Sequence, residues 1–279
     1  MEEMSDYDLQ KDEPPPPLLE RRSPITWIIA AAVIIAAGGA AWFYFSGGRQ
    51  TQPAPQAQTE AATPAPVSEP LGGQGDVIEL PPLAETDPLV RQLVRALSSH
   101  PVVAAWLATD DLLRSFTVAV DNIADGTTPA SRLRAVRPAD RFRVIDQDDG
   151  LSIDPRSYAR YTPLASAVDS LDADGVARLY STLKPRIEDA YAELGRERSF
   201  DVALEGAIVM LLRTPALDTD VPLVPKGAVT FGFADPRLER LTPAQKQLAR
   251  MGPRNAGVVQ RKLRQIAVAL GIPEERLPR

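Results

Sequence analysis

The feature that most constrains this chain is an uninterrupted apolar segment, Ile25–Phe45, with the sequence ITWIIAAAVIIAAGGAAWFYF. A helix that rises about 1.5 Å per residue would span the roughly 30 Å hydrocarbon core of a bilayer with a segment of this length. Aromatic residues stand near both ends, Trp27 near the start and Trp42, Phe43 and Tyr44 at the end, where membrane interfaces favour them. The segment therefore predicts a single transmembrane helix over residues 25–45 that contacts the lipid bilayer.

The charges beside this segment predict its orientation. Arg21 and Arg22 precede it, whereas Arg49 is the only cationic residue that follows it before Arg91. Because cationic residues are retained on the cytoplasmic side, the acidic, proline-rich tail 1–24 is expected in the cytoplasm and the C-terminal part on the exported side. The alternative is a cleaved signal peptide, but the apolar core of a signal peptide usually has only about 7–15 residues.

Residues 46–78 form a segment rich in proline, alanine, glutamine and glycine. Such a segment has too few bulky apolar side chains to form a core, so we expect it to be disordered. About 30 residues would reach roughly 30 Å as a flexible coil and up to about 90 Å as polyproline II. The segment is thus predicted to tether the rest of the chain to the membrane.

The remaining part, residues 79–279, is electrically neutral. It carries 27 Lys+Arg and 27 Asp+Glu, so the net charge of −6 belongs to the tail and the linker. A neutral domain that is exported is a poor candidate for binding nucleic acid. Its length is sufficient for a substantial hydrophobic core.

The fold class predicted for residues 79–279 is mainly α with minor β hairpins, as a compact helical exported domain. Capping residues and apolar residues at helical spacing mark the helices. Asp87 is expected to cap the first of them, Thr109 or Asp110 the third, and Thr242 with Gln245 to form a capping box. The predicted helices cover about 87–97, 101–107, 109–126, 158–171, 174–195 with a kink at Pro185, 199–212, one that begins at 242 and a last one that ends before Gly271; the predicted hairpins pair 142–146 with 151–154 and 221–224 with 228–233.

Composition excludes several kinds of chemistry. The chain has no cysteine and one histidine, His100, so thiolate catalysis, disulfides and multi-histidine metal centres are impossible. His100 precedes Pro101 at a helix start, where we expect it to cap the helix or fill a turn rather than to act in catalysis. The acidic hairpin around Gly150 does not fit a calcium loop, because Ile145 and Arg156 would occupy the first and twelfth ligand positions. We therefore predict no metal and no cofactor.

Three sets of residues are candidates for a site. Asp235 and Glu239 are four residues apart, so a helix would place both carboxylates on one face, as acid/base chemistry can require; ion pairing with neighbouring arginines is the alternative. Asp121 and Asn122 are a second candidate, late in the third helix, where the alternative to binding is a hydrogen bond from Asn122 to the nearby turn. The basic candidates are Lys246, Arg250, Arg254 and Asn255, which could bind an anion beside the start of the last helix.

Three stretches of the sequence support a family resemblance. They are HPVVAAWLATDDLLRSFTVAVDNIADG, YARYTPLASAVDSLDADGVARLY and GFADPRLERLTPAQKQLARMGPRNAGVVQRKLRQIAVALGIP, of which DNIADG and KQLARMGPRN are the most distinctive pieces. Over about residues 80–273 the chain resembles a membrane-anchored proteobacterial family of domains of unknown function, number 3014. The resemblance implies a bacterial inner-membrane protein with a periplasmic domain. It does not indicate a biochemical activity.

Three functions are compatible with this layout. The first is a non-enzymatic interaction domain that binds another envelope protein or a cell-wall component. The second is a periplasmic hydrolase that uses carboxylates such as Asp235 and Glu239, acting on an envelope glycan. The third is a sensor that signals to the cytoplasmic tail. We expect the first, because no nucleophile or phosphate-binding motif occurs in a supporting context.

Overall fold

The structure, a computed structural model, describes residues 70–279 except residues 139, 148–149 and 228–229. The predicted tail 1–24, the predicted transmembrane helix 25–45 and linker residues 46–69 lie outside the described residues. Within the described ranges, no helix is long and apolar enough to cross a bilayer. These ranges are mainly helical with two small antiparallel hairpins, which confirms the predicted class for this part of the chain.

The helices follow the predicted order closely. The predicted helix 158–171 is divided into two short helices, and the longest helix continues through Pro185. The α-helices of the described residues are α1 (Asp87–Leu97), α2 (Pro101–Leu107), α3 (Leu112–Ala124), α4 (Arg156–Ala159), α5 (Thr162–Asp169), α6 (Ala173–Ala192), α7 (Phe200–Leu212), α8 (Pro236–Glu239), α9 (Pro243–Ala249) and α10 (Pro253–Ala269). Single 3-10 turns occupy Leu83–Glu85, Arg134–Val136 and Glu274–Arg276.

Several helix starts are determined by the capping residues that the sequence indicates. His100 Nδ1 accepts a hydrogen bond from the backbone N–H of Val102 at 3.2 Å, so the only histidine of the chain caps α2. Ser199 caps α7 in the same way. Thr242 and Gln245 form the predicted reciprocal capping box at the start of α9. These local hydrogen bonds satisfy backbone N–H groups that have no partner inside the helix.

The cap of α3 is different from the prediction. The side chain of residue 109 or 110 was expected to cap it, but the capping carboxylate belongs to Asp87, in α1. Asp87 accepts hydrogen bonds from the backbone N–H groups of Asp111 and Leu112, each at 2.9 Å. The predicted role of Asp87 as the cap of its own helix is therefore wrong: this carboxylate joins two helices that are distant along the chain.

The main core lies between α1, α3, α6, α7 and α10. Phe200 at the start of α7 is fully buried, and its ring lies 5.2 Å from that of Tyr191 and 5.6 Å from that of Phe116. Aliphatic side chains from all five helices complete the cluster. This arrangement buries the apolar faces that the helical spacing predicts.

A second, smaller core lies under the two hairpins. Strands β1 (Val144–Gln147) and β2 (Gly150–Ile153) form one hairpin, and β3 (Leu223–Pro225) and β4 (Phe231–Phe233) form the other. The hairpins meet where the N–H of Ile153 donates to the carbonyl of Val221 at 3.1 Å. Both predicted hairpins are thus confirmed, and they pack together rather than projecting separately.

Gly252 connects this second core to α10. Its φ of 84° lies in the left-handed region that glycine adopts without strain. A Cβ at this position would also lie 2.4 Å from the ring of Tyr158. The glycine in the GPRN sequence is therefore required both for the turn between α9 and α10 and for close packing.

Residues 71–76, which fall in the predicted linker, lie along α6. Leu71 is buried, Gly72 donates its N–H to the carbonyl of Leu270 at 2.9 Å, and Asp76 donates its N–H to Thr182 Oγ1 at 2.9 Å. A Cβ on Gly75 would lie 2.4 Å from the backbone nitrogen of Thr182. Residues 71–76 are therefore packed against the domain rather than belonging to a free linker, and the glycine at 75 permits close backbone contact.

Candidate functional site

The helices of the main core line an apolar cavity of about 380 Å³ that is partly open to the surface. Its lining comes from α1, α2, α3, α6, α7 and α10, together with Leu171 and Leu270. Apart from Tyr180 and Trp106, every lining side chain is a hydrocarbon. The lining consists of Val90, Val94, Leu97, Trp106, Leu113, Phe116, Val120, Ile123, Leu171, Val176, Leu179, Tyr180, Leu183, Ile187, Leu204, Ala207, Ile208, Leu211, Leu263, Ile266 and Leu270.

The hydroxyl of Tyr180 does not supply a free polar group to this cavity. It donates a hydrogen bond to Asp201, whose other carboxylate oxygen lies 2.5 Å from Lys184 Nζ. Burial and the neighbouring carboxylate of Asp201 raise the pKa of Tyr180, so its proton stays in place at neutral pH. A buried water needs two to four polar partners, and this lining does not provide them.

The size of the cavity makes an empty state costly. Side chains that border unfilled space lose packing contacts, so an empty cavity lowers the stability of a protein. An apolar ligand that fills the cavity would remove most of this cost.

The predicted acidic pair, Asp235 and Glu239, lies outside this cavity. Asp235 caps α8 and pairs with Arg237 at 3.0 Å. Glu239 accepts the N–H of Phe233 at 3.0 Å and pairs with Lys246 at 3.3 Å. Each carboxylate therefore stabilises the turn between β4 and α9.

These contacts also determine how the two carboxylates titrate. The Arg237 guanidinium lowers the pKa of Asp235, and the N–H of Phe233 together with Lys246 lowers the pKa of Glu239. A general acid in glycan hydrolysis needs a raised pKa so that it is protonated near neutral pH. Neither carboxylate has that property in this arrangement.

The basic candidates are divided among different surroundings. Arg250 donates to the carbonyl of Phe231 at 3.1 Å and lies 5.4 Å from the centre of the Phe233 ring. Arg254 is exposed in the first turn of α10. Asn255 is buried, and its amide donates to the carbonyls of Tyr158 and Met251. Lys246, Arg250, Arg254 and Asn255 therefore do not converge on a common binding site.

Asp121, which is itself buried, forms the centre of an ion network whose other members are partly exposed. Its carboxylate accepts hydrogen bonds from Arg196, from Arg198 at 2.6 Å and from the hydroxyl of Tyr191 at 3.0 Å. Both arginines also contact Asp125, the residue that directly follows α3. The network fixes the segment between α6 and α7 against the end of α3.

Burial alone would raise the pKa of Asp121. The hydrogen bonds from Arg198, Arg196 and Tyr191 together outweigh burial, so its pKa is lowered and it remains ionised. Asn122 contributes its backbone carbonyl, which accepts the N–H of Thr127 at 2.7 Å. These two candidates therefore have structural contacts at the turn that follows α3.

The DNIADG piece contacts the start of α9 at this turn. The carbonyl of Gly126, which ends DNIADG, accepts the N–H of Ala244 at the start of α9 at 3.0 Å. A Cβ on Gly126 would lie 3.0 Å from the side chain of Thr242. Close packing of two chain segments thus accounts for the glycine.

The sequence does not predict the cavity. Helical spacing places most of its lining residues on the inner faces of the helices. Periodicity identifies which side chains face inward, but the volume left between them depends on how the helices cross. The described residues contain no group of three His, Cys, Asp or Glu side chains placed to hold a metal ion.

Comparison with known proteins gives one match. Residues 112–267, more than half of the chain, match the model of a family described as a protein of unknown function, DUF3014. No curated protein and no solved structure matches the chain. The matched range contains α3 to α10 apart from its last two residues, and thus most of the cavity lining.

Proposed function

The chain belongs to DUF3014, a family of proteins of unknown function, and we propose that it is a single-pass inner-membrane protein whose periplasmic domain binds the aliphatic chain of a lipid. The observation that carries this proposal is the apolar cavity of about 380 Å³ in the main core. The function is binding rather than catalysis, with the ligand exchanged with the bilayer or with another component of the envelope.

The chemistry of the cavity favours a flexible hydrocarbon as its occupant. Ligand sites of about 300–1,000 Å³ are usually apolar with a few polar groups that orient the ligand. In this cavity the only hydroxyl, that of Tyr180, is already bonded to Asp201. The part of the ligand that enters is therefore hydrocarbon, and its polar head stays outside.

The sequence supports a position close to a bilayer. Residues 25–45 have the length and the interfacial aromatic residues of a transmembrane helix, and Leu71 is already buried in the domain. About 25 intervening residues would extend roughly 25–30 Å as a flexible coil. The tether would keep the domain near the lipids that we propose as the source of its ligand.

The topology has a direct test. Alkaline phosphatase fused after Ala65 should be active, because Arg21 and Arg22 retain the N-terminus in the cytoplasm. The same fusion without residues 25–45 should be inactive and serves as the control. A stable but inactive fusion that retains residues 25–45 would contradict the proposed orientation.

Ligand binding is tested separately, with the full-length protein in detergent after removal of bound lipid. We expect cis-parinaric acid to bind at one site per chain with increased fluorescence, and palmitate to displace it. Native mass spectrometry of the untreated protein should show a bound lipid mass. Fluorescence that increases without saturation, together with a protein free of lipid mass, would contradict a cavity that holds a hydrocarbon.

A further inference from the structure

The exposure of the apolar cavity's lining changes along the main core. In three of its helices the lining side chains pass from buried to half-exposed in the direction of the loop between α5 and α6. The change runs from Val94 to Leu97 in α1, from Leu183 to Val176 in α6 and from Ile266 to Leu263 in α10. Leu171, a lining residue in the loop itself, is also half-exposed. These three helices therefore leave a mouth of the cavity beside this loop.

Contacts between the elements show that the half-exposed residues lie together. A Cβ on Gly175, near the start of α6, would lie 2.7 Å from Leu97 Cδ2 at the end of α1. Lys262 Nζ, in α10, donates to the carbonyl of Leu171 at 2.8 Å. The mouth is therefore bounded by Leu97, Leu171, Val176 and Leu263.

Lys262 places a positive charge at this mouth. It directly precedes the lining residue Leu263, and its side chain is half-buried. An ammonium group has three donors, and the carbonyl of Leu171 accepts from one of them. Within the described part of the chain, Lys262 pairs with no carboxylate. It therefore retains donors for an anion that reaches the mouth.

The carboxylates closest to this loop in the sequence have other contacts. Asp169 lies 3.3 Å from Arg261 Nη2. Asp172 caps α6 and lies 3.8 Å from Arg178 Nη2. Asp174 is exposed in the first turn of α6, where the helix dipole stabilises a negative charge. These carboxylates therefore do not neutralise the ammonium group at the mouth.

We infer that the lipid in the apolar cavity has an anionic headgroup, a carboxylate or a phosphate, which binds the ammonium group of Lys262 at the mouth. The inference rests on the proposed function, because it concerns the part of the same ligand that stays outside the hydrocarbon lining. An unpaired charge inside that lining would be costly. At the mouth, the ammonium group offers a charge-assisted hydrogen bond that favours an anionic headgroup over a neutral one.

The test compares ligands that have the same hydrocarbon chain and different headgroups. Palmitate, hexadecyl phosphate and 1-hexadecanol each compete with cis-parinaric acid for the delipidated full-length protein in detergent. For each variant we compare the concentration of hexadecanol that displaces half of the probe with the corresponding concentration of each anion. The ratio of the two concentrations does not depend on the affinity of the probe. When variants are compared, partition of the competitors into detergent also cancels.

Substitution of Lys262 should lower the preference for anions. The amide of Lys262→Gln can still donate to the carbonyl of Leu171 but carries no charge, so we expect the preference over hexadecanol to fall about tenfold. A fall for only one anion would support the inference and identify the headgroup as a carboxylate or a phosphate. Lys262→Arg keeps the charge and should retain most of the preference. Arg132→Gln removes an exposed charge between α3 and β1 and should leave the preference unchanged.

Three outcomes would overturn the inference. If all three ligands bind saturably and the parent and Lys262→Gln show the same preference, the anionic headgroup is refuted while the proposed hydrocarbon binding stands. An equal fall in Lys262→Gln and Arg132→Gln would show a general effect of charge. If none of the ligands binds saturably to the parent, the proposed function fails, and this inference fails with it.

Discussion

Replacement of Ala207 by leucine is expected to stabilise the protein when no ligand is bound. Ala207 lies in α7 and lines the apolar cavity, so the added atoms would enter empty space. At about 0.8 kcal/mol for each buried methylene, the free energy of unfolding should rise by about 2 kcal/mol. Thermal denaturation of the delipidated protein should show a melting temperature higher by about 5 °C.

The same substitution should have the opposite effect on ligand binding. The leucine side chain would occupy volume that the hydrocarbon needs, so we expect cis-parinaric acid to bind at least tenfold more weakly. At a high ligand concentration the stability advantage of the variant should disappear, because a ligand stabilises the folded protein by RT ln(1 + [L]/Kd), which is smaller for the weaker-binding variant.

Ala203 provides a matched control for this prediction. It lies one turn earlier in α7 and is equally inaccessible, with an exposure of 1% against 4% for Ala207. It does not line the cavity, so Ala203→Leu should overfill the core and lower stability by about 1–3 kcal/mol. If both variants were destabilised to the same extent, there would be no void beside Ala207.

Replacement of Asp121 by asparagine is expected to destabilise the protein strongly. Its carboxylate is almost fully buried and accepts hydrogen bonds from two arginines and Tyr191. An amide would direct N–H groups toward the guanidinium groups and leave them without their negative charge. Because Arg196 and Arg198 remain partly exposed, we expect a loss of about 2–4 kcal/mol, at or below the usual cost of breaking a buried pair.

The effect should depend on pH in a defined direction. The pKa of Asp121 is lowered in the folded protein from its ordinary value of 3.8. Its contribution to stability is therefore complete above pH 3.8 and is lost as the pH falls through the lower, folded pKa. Chemical denaturation at pH 7 and in acid should show that the difference between the parent and Asp121→Asn decreases in acid.

Asp125 provides the control for Asp121. It contacts the same two arginines, but its side chain is 36% exposed. Asp125→Asn should therefore cost only about 0–1 kcal/mol, as is usual for exposed ion pairs. If both substitutions lowered the free energy of unfolding equally, burial of Asp121 would not account for its contribution to stability.

Features that depend on neighbouring residues could be predicted from the sequence. The capping box of Thr242 and Gln245, the cap at Ser199 and both hairpins each involve hydrogen bonds between residues close together along the chain. The apolar spacing also identifies the inward faces of α3, α6 and α7. These features follow from the periodicity and hydrogen-bonding capacity of short segments.

Features that join distant residues could not be predicted in this way. Asp87 has the sequence context of a cap for α1 but caps α3 instead. Gly75 has the context of a flexible linker but permits close contact with α6. In each case the deciding contact is made with a residue more than 20 positions away, and no local pattern specifies it.

The sequence by itself determined the helical class, most helix starts and both hairpins, because each depends on the order of residues within a short window. The tertiary structure alone decided which polar groups pair and where space remains. Asp121 becomes the centre of an ion network only when Arg196 and Arg198 fold back onto α3. The apolar cavity arises because the helices cross at distances that their side chains do not fill, and crossing distances are a property of packing rather than of sequence order.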